Sequence, residues 1–240
     1  MIKAYIAIIG GNMKKLYYLV IILFIISLIS TSIILLNEKN SYKESKHIVL
    51  ENYNEISLKE KYDTYRRIYN NEEIVGTITI PGTNINTLFV QTKDNKYYLS
   101  HNLQKEKTKL GTAFMDYRNS FEDRQINIYG HNSNKYDVAF KDLKSYLNND
   151  FTKNNDLVQL ENENGIKSYR IVSVKRTKSK EHMILNSNNF INHINKIRKD
   201  SLYDNGIEIN ETDNILILQT CLLDGSRDYL IILCIGLDNN

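Results

Sequence analysis

Cys221 closes the apolar run Ile215-Leu216-Ile217-Leu218 after the polar pair Gln219-Thr220, a pattern that carries its sulfur to the rim of a sheet, within reach of solvent and substrate. A thiol becomes a nucleophile only beside a cation or base that favours the thiolate, because an unperturbed Cys is mostly protonated near neutral pH. Of the five histidines, His131 has the matching setting, since it follows the strand-like Ile126-Asn127-Ile128-Tyr129 through Gly130. His47 lies in a polar stretch, His182 after the charged Lys178-Ser179-Lys180-Glu181, and His193 in a helical pattern, all ordinary settings for surface or packing residues. His101 stays open. If Leu222 to Ser226 is a hairpin loop, Arg227 faces Cys221 with Cβ atoms roughly 5 Å apart, where its guanidinium can hold a substrate carbonyl or an oxyanion. An ion pair of Arg227 with Asp224 or Asp228 is the alternative. Taken alone, one Cys, one His and one Arg do not make an active site.

The second thiol, Cys234, is not a disulfide partner on this reading. It lies beyond Arg227 by residues 228–234, about 23 Å of strand, against a limit of roughly 7 Å between bridged Cα atoms. Flanked by Ile231-Ile232-Leu233 and Ile235, it reads as a small buried hydrophobe. No Cys or His pair has the spacing of metal ligands.

The elements that must position these residues are short and β-rich. Strand-like runs recur at Ile74 to Ile80, Ile85 to Gln91, Gly111 to Met115, Gln125 to Tyr129, Leu157 to Glu161, Ser168 to Lys175, Ile215 to Cys221 and Tyr229 to Ile235, which predicts a barrel or sandwich. Pro81-Gly82-Thr83-Asn84 and Leu222 to Ser226 carry turn residues. Helical interruptions are predicted over Asp137 to Leu147 and Ser187 to Arg198, where Phe190, Ile194 and Ile197 share a face. With 1 Pro, 10 Gly and 2 Cys in 240 residues, the fold must rest on apolar burial rather than on staples.

Lys3, Lys14 and Lys15 are the only charges before Glu38, and the rest of the chain is balanced, so the net charge of +3 gives no footprint for nucleic acid. Residues 16–36 carry no charge and at ~1.5 Å per residue would cross a hydrocarbon core of roughly 30 Å. They are predicted to be an uncleaved transmembrane signal anchor in contact with membrane lipid. The small residues Ser30-Thr31-Ser32 lie inside the apolar run, which argues against cleavage. The positive charges precede the run, so a single-pass topology follows, with residues 1–15 cytoplasmic and the rest outside the cell. Ile9-Gly10-Gly11-Asn12 is encodable by a ribosome-site-like stretch, which makes Met13 an alternative start and leaves residues 1–12 untranslated. Residues 37–72 are polar, without breakers, and are expected to be a helical spacer packed on a domain at residues 73–240.

Tyr129-Gly130-His131-Asn132 after a strand, with Leu218-Gln219-Thr220-Cys221 followed by Arg227, resembles the sortases, the cysteine transpeptidases of Gram-positive surfaces. Further matches are Ile80-Pro81-Gly82-Thr83, Asp94-Asn95-Lys96-Tyr97-Tyr98-Leu99, Phe114-Met115-Asp116-Tyr117-Arg118-Asn119 and Ala139-Phe140-Lys141-Asp142-Leu143, and the resemblance runs from about Glu73 to Gly236. The helical spacer and the helix before the Cys strand are similar to class B. That resemblance implies a closed eight-stranded β-barrel with N-terminal helices. It also implies a reaction without cofactor or metal, in which Cys221 attacks a threonine carbonyl in a C-terminal sorting motif. An amine of the peptidoglycan precursor then resolves the thioester and attaches the surface protein to the wall. His131 would move the protons, Arg227 would stabilise the oxyanion or position the peptide, and Asn95, Leu99 and Thr220 would line the peptide groove. Class B members often choose Asn-Pro-x-Thr-type motifs, while some use others. Ile217 stands where the family commonly has Thr, a change that bears on packing. An inactive peptide-binding module, a pilin-polymerising sortase and another wall-modifying Cys/His transpeptidase remain alternatives.

Overall fold

The computed structural model describes residues 57–179, 189–222, 226 and 228–237, together with residues 23, 25–27, 29–34, 36 and 37. The chain divides into two compact units, Met1–Lys43 and Glu44–Asn240. In the first, the described residues are helical, with Leu23, Ile25, Ile26, Ile29, Ile33, Ile34 and Leu36 exposed.

The expected transmembrane anchor over residues 16–36 is overturned. Among the described residues no helix is long and apolar enough to cross a membrane. Residues 16–22 lie outside the described residues. The contact with membrane lipid, the cytoplasmic N-terminus and the single-pass export topology all depended on that span and go with it.

In the second unit, nine strands form one sheet: β1 (Ile74–Thr79), β2 (Asn86–Val90), β3 (Ala113–Met115), β4 (Gln125–Tyr129), β5 (Leu157–Asn162), β6 (Gly165–Thr177), β7 (Tyr203–Asp204), β8 (Ile215–Cys221) and β9 (Tyr229–Gly236). Their order is β5-β1-β2-β3-β4-β8-β9-β6-β7, and β5 also pairs with β6, so all but β7 close into the expected eight-stranded barrel. The first half of β6 makes the closing pair, Leu157↔Arg170 to Asn162↔Gly165, and β7 continues along the second half through Ser173↔Asp204. A two-residue strand carries no periodicity to read, and sequence gives no sign of β7.

Strand β8 shows why a run such as Ile-Leu-Ile-Leu forms here. Leu216 and Leu218 point into the barrel, where they join Ile126, Ile128, Leu230, Ile232 and Cys234. Ile215 and Ile217 point outward and are covered by Phe190, Ile194 and Ile197 of a helix, Phe190–Arg198. A strand buried on both faces reads as continuous apolar sequence. That helix is the one expected over Ser187 to Arg198, of which Ser187 and Asn188 lie outside the described residues. The other expected helix, over Asp137 to Leu147, is a 3-10 turn at Lys141–Leu147. A short α-helix follows at Asn149–Asn154 because the Asn148 side chain caps it, accepting from Asp150 N and Phe151 N.

Leu58–Tyr69 forms a helix with a capping box, Ser57 accepting from Glu60 N and Glu60 from Ser57 N. Tyr62, Tyr65 and Tyr69 fall on one face and pack on Ile74, Leu88, Val90 and Phe114. The Tyr62 hydroxyl donates to Glu161 O at 2.9 Å, tying the helix to β5.

Candidate active site

Strands β4 and β8 run parallel and in register, from Gln125↔Ile215 to Tyr129↔Gln219. Gly130 N donates to Gln219 O at 3.3 Å and Thr220 Oγ1 to Gly130 O at 2.8 Å, extending the match one step further. Cys221 is the last residue of β8, and His131 lies two residues past the end of β4. Cys221 is exposed, whereas Cys234 is buried and opposite Leu216; neither forms a disulfide.

Both residues line one open cavity of about 280 Å³. Asn95, Leu99 and Thr220, the residues assigned to a peptide groove by resemblance, line it as well. Asn95 and Leu99 come from the connection between β2 and β3, where Asp94 Oδ1 accepts from Lys96 N and Tyr97 N and so turns the chain into the 3-10 turn Tyr97–Leu99. Leu99 is left 39% exposed, an apolar side chain offered to whatever enters. Lys96, Phe114, Tyr129 and Tyr229 complete the walls, and none of the four was singled out as a site residue from sequence.

The imidazole of His131 is oriented by backbone. Its Nε2 lies 2.7 Å from Leu99 O. A carbonyl only accepts, so Nε2 carries the hydrogen, and in the neutral ring the basic nitrogen is Nδ1. Gly111 makes this possible. At φ +61, a Cβ there would stand 2.6 Å from His131 Cδ2 and 2.7 Å from Tyr98 O. A glycine at the start of a predicted strand is a sequence signal for such a close approach. Gly130 is required similarly, since its Cβ would meet the Phe140 ring at 2.8 Å.

Arg227 lies outside the described residues, and the register that was to set it against Cys221 differs from expectation. Cys221 pairs with Tyr229, and Leu222 N donates to Asp228 O at 2.7 Å, so the ladder runs one residue further than a turn over Leu222 to Ser226 allows. The Lys178 ammonium, then the Arg176 guanidinium, hold the Asp228 carboxyl down to about 2, pinning residue 228 to the end of β6. That carboxylate is engaged by residues other than Arg227.

The remaining histidines stay apart from the cavity or beyond description. His101 donates from Nδ1 to Tyr97 O at 2.7 Å and stacks on the Tyr97 ring at 3.9 Å. His193 is buried on the helix Phe190–Arg198. His47 and His182 lie outside the described residues. Among the described residues no group of three or more His, Cys, Asp or Glu side chains could hold a metal ion.

The family model for the sortase domain matches residues 78–234, a stretch that contains the whole cavity. Sortase B of Listeria monocytogenes is 35% identical over 167 residues, 66% of this chain and 66% of that protein. Sortase B of Staphylococcus aureus is 25% identical over 214 residues, 86% of each. The solved structure of Clostridium perfringens sortase B superposes with a TM-score of 0.67 at 30% identity, covering 74% of this chain and 100% of that one. With a barrel closed in the same way and a thiol and an imidazole on one cavity, this chain belongs to the sortase family, as a class B-type cysteine transpeptidase.

Proposed function

We propose that the protein cleaves a C-terminal sorting motif after threonine and transfers the acyl group to an amine of the peptidoglycan precursor, attaching surface proteins to the wall. The observation that supports this reading is that His131 and Cys221, each just past the last matched pair of the parallel β4–β8 ladder, line one open cavity. Cys221 gives its thiol proton to His131 Nδ1 as Sγ attacks the threonine carbonyl carbon and forms a tetrahedral intermediate. Its collapse forms a thioester and breaks the scissile C–N bond, and the leaving amine takes a proton from His131 Nδ1. The acceptor amine gives a proton back to Nδ1 as it attacks the thioester, and the thiolate departs. Throughout, Nε2–H stays on Leu99 O, which keeps the ring from turning its basic nitrogen away. Arg227 is assigned the oxyanion on resemblance. Leu99 offers an apolar contact to the motif, and Asn95 and Thr220 offer polar ones.

A fluorogenic library of Asn-Pro-x-Thr-type and variant motifs tests the reading. Wild-type protein cleaves at least one motif after Thr, and a triglycine-like amine raises turnover. Cys221→Ala loses cleavage by on the order of 10³-fold or more. Release of D-alanine from muropeptides with no cleavage of any sorting peptide would move the protein to a different transpeptidase class.

A further inference from the structure

Behind the wall that Asn95 and Tyr129 contribute to the cavity lies one carboxylate with no exposed surface. Asp116 follows β3 directly and is 0% exposed. Its Oδ1 accepts from the backbone N–H of Arg118 at 3.0 Å and from Arg118 Nε at 2.9 Å. Its Oδ2 accepts from Arg118 Nη2 at 2.8 Å, Asn95 Nδ2 at 2.9 Å and the Tyr129 hydroxyl at 2.9 Å. An ionised carboxylate only accepts, so the group that Asn95 turns towards it must be the NH₂. From the other side the backbone N–H of Tyr117 donates to Asn95 Oδ1 at 3.0 Å. The amide is held at both ends. A flip would exchange donor for acceptor along the edge it shows to the cavity, and these two bonds forbid it. The same carboxylate ties down the Tyr129 ring, two residues before His131.

We propose that Asp116 is a positioning residue for peptide recognition: with its charge balanced by Arg118, it fixes the hydrogen-bonding edge of Asn95 and the ring of Tyr129 before a peptide arrives. Having no surface of its own, it acts through those two side chains. Groups ordered in advance lose no freedom on binding, so the effect belongs in affinity. The inference rests on the transpeptidase reading.

Asp116→Asn keeps the size but sets an amide against three donor groups, which turns or releases Asn95. With the best peptide of the library, it raises KM about tenfold while kcat stays within about threefold, and alkylation of Cys221 keeps its rate. Asn95→Ala gives a similar rise, and the double variant falls short of the product of the two single effects, because the Asn95 contact is lost in both and only the Tyr129 share is left to add. Should Asp116→Asn not fold, Arg118→Lys breaks the fork from a partly exposed position and carries the same KM-selective signature. Losses that add in full in the double variant, or a fall in kcat at unchanged KM in a folded variant, overturn the role. Wild-type protein that neither cleaves nor binds any peptide overturns instead the reading on which this role rests. The two failures are therefore separate.

Discussion

Cys221 and Cys234 sit on adjacent antiparallel strands, and the ladder that joins β8 to β9 sets them in opposite chemical situations. Cys234 pairs with Leu216 inside the barrel among Ile126, Ile128 and Ile232, and burial, with the Asp156 charge behind it, pushes its thiol far up from the ordinary 9.0. Cys221 pairs with Tyr229 at the ladder's end, exposed, on the cavity that also holds His131. Residue type and sheet are shared. What differs is the distance travelled along the ladder and what the parallel partner strand delivers at its end. The anion needed for attack is denied to Cys234 by desolvation, while Cys221 stands exposed on the cavity.

The sharpest way to break this contrast is to alkylate the folded protein. Iodoacetamide modifies Cys221 faster than Cys234 by on the order of 10³ or more, read by mass mapping over time. Comparable rates at the two sites would mean that the barrel interior opens readily, and the argument from burial would collapse.

Gly111→Ala probes the other half of the contrast, the imidazole. The substitution forces a left-handed residue to carry a Cβ and drives that Cβ into the His131 ring. Ring displacement of about 1 Å is enough for kcat/KM to fall on the order of 10²-fold. Cys234 must remain unreactive in the same variant, which separates a local shift of His131 from general loosening. Unchanged kcat/KM would show that the ring tolerates the crowding and that Leu99 O does not orient it.

Much of this arrangement was legible in the residues because the signals were local. Strand periodicity gave all eight barrel strands, and the continuous apolar run of β8 ending in Gln219-Thr220-Cys221 gave Cys221 its exposed place at a strand end. The misses share a different cause. The partner of Cys221 is Tyr229 rather than Arg227, a register carried by the whole β8–β9 ladder from Ile215↔Ile235 onward, which no local stretch of sequence displays. Asp116 stood in a matched motif without a role, since nothing local says that its carboxylate meets Asn95 and Tyr129. The apolar run over residues 16–36 misled in the opposite way: hydropathy counts residues, and among the described residues no helix is long and apolar enough to cross a membrane.

The smallest expected effect extends the contrast to the two ends of the pH scale, because Asp116 and Cys234 are both 0% exposed and burial raises both. In Asp116 the Arg118, Asn95 and Tyr129 hydrogen bonds outweigh burial and bring the carboxyl from its ordinary 3.8 down to about 2. A folded value below the unfolded one means stability present above pH ~4 and lost as pH falls towards 2, a contribution of about 2 kcal/mol. For Cys234 the sign reverses: its folded value lies above the unfolded one, so its contribution is intact below pH 9 and drains as pH rises beyond it. Denaturant melts across pH then distinguish the two sites. Asp116→Asn flattens the acid limb between pH 4 and 2 and leaves the alkaline limb alone. Cys234→Ala lowers stability at every pH by about 1–2 kcal/mol through the lost packing, yet removes its share of the fall above pH 9. An acid limb that keeps its slope in Asp116→Asn would show that the carboxylate's partners release it before the barrel opens, and would detach the cavity wall from the stability of the fold.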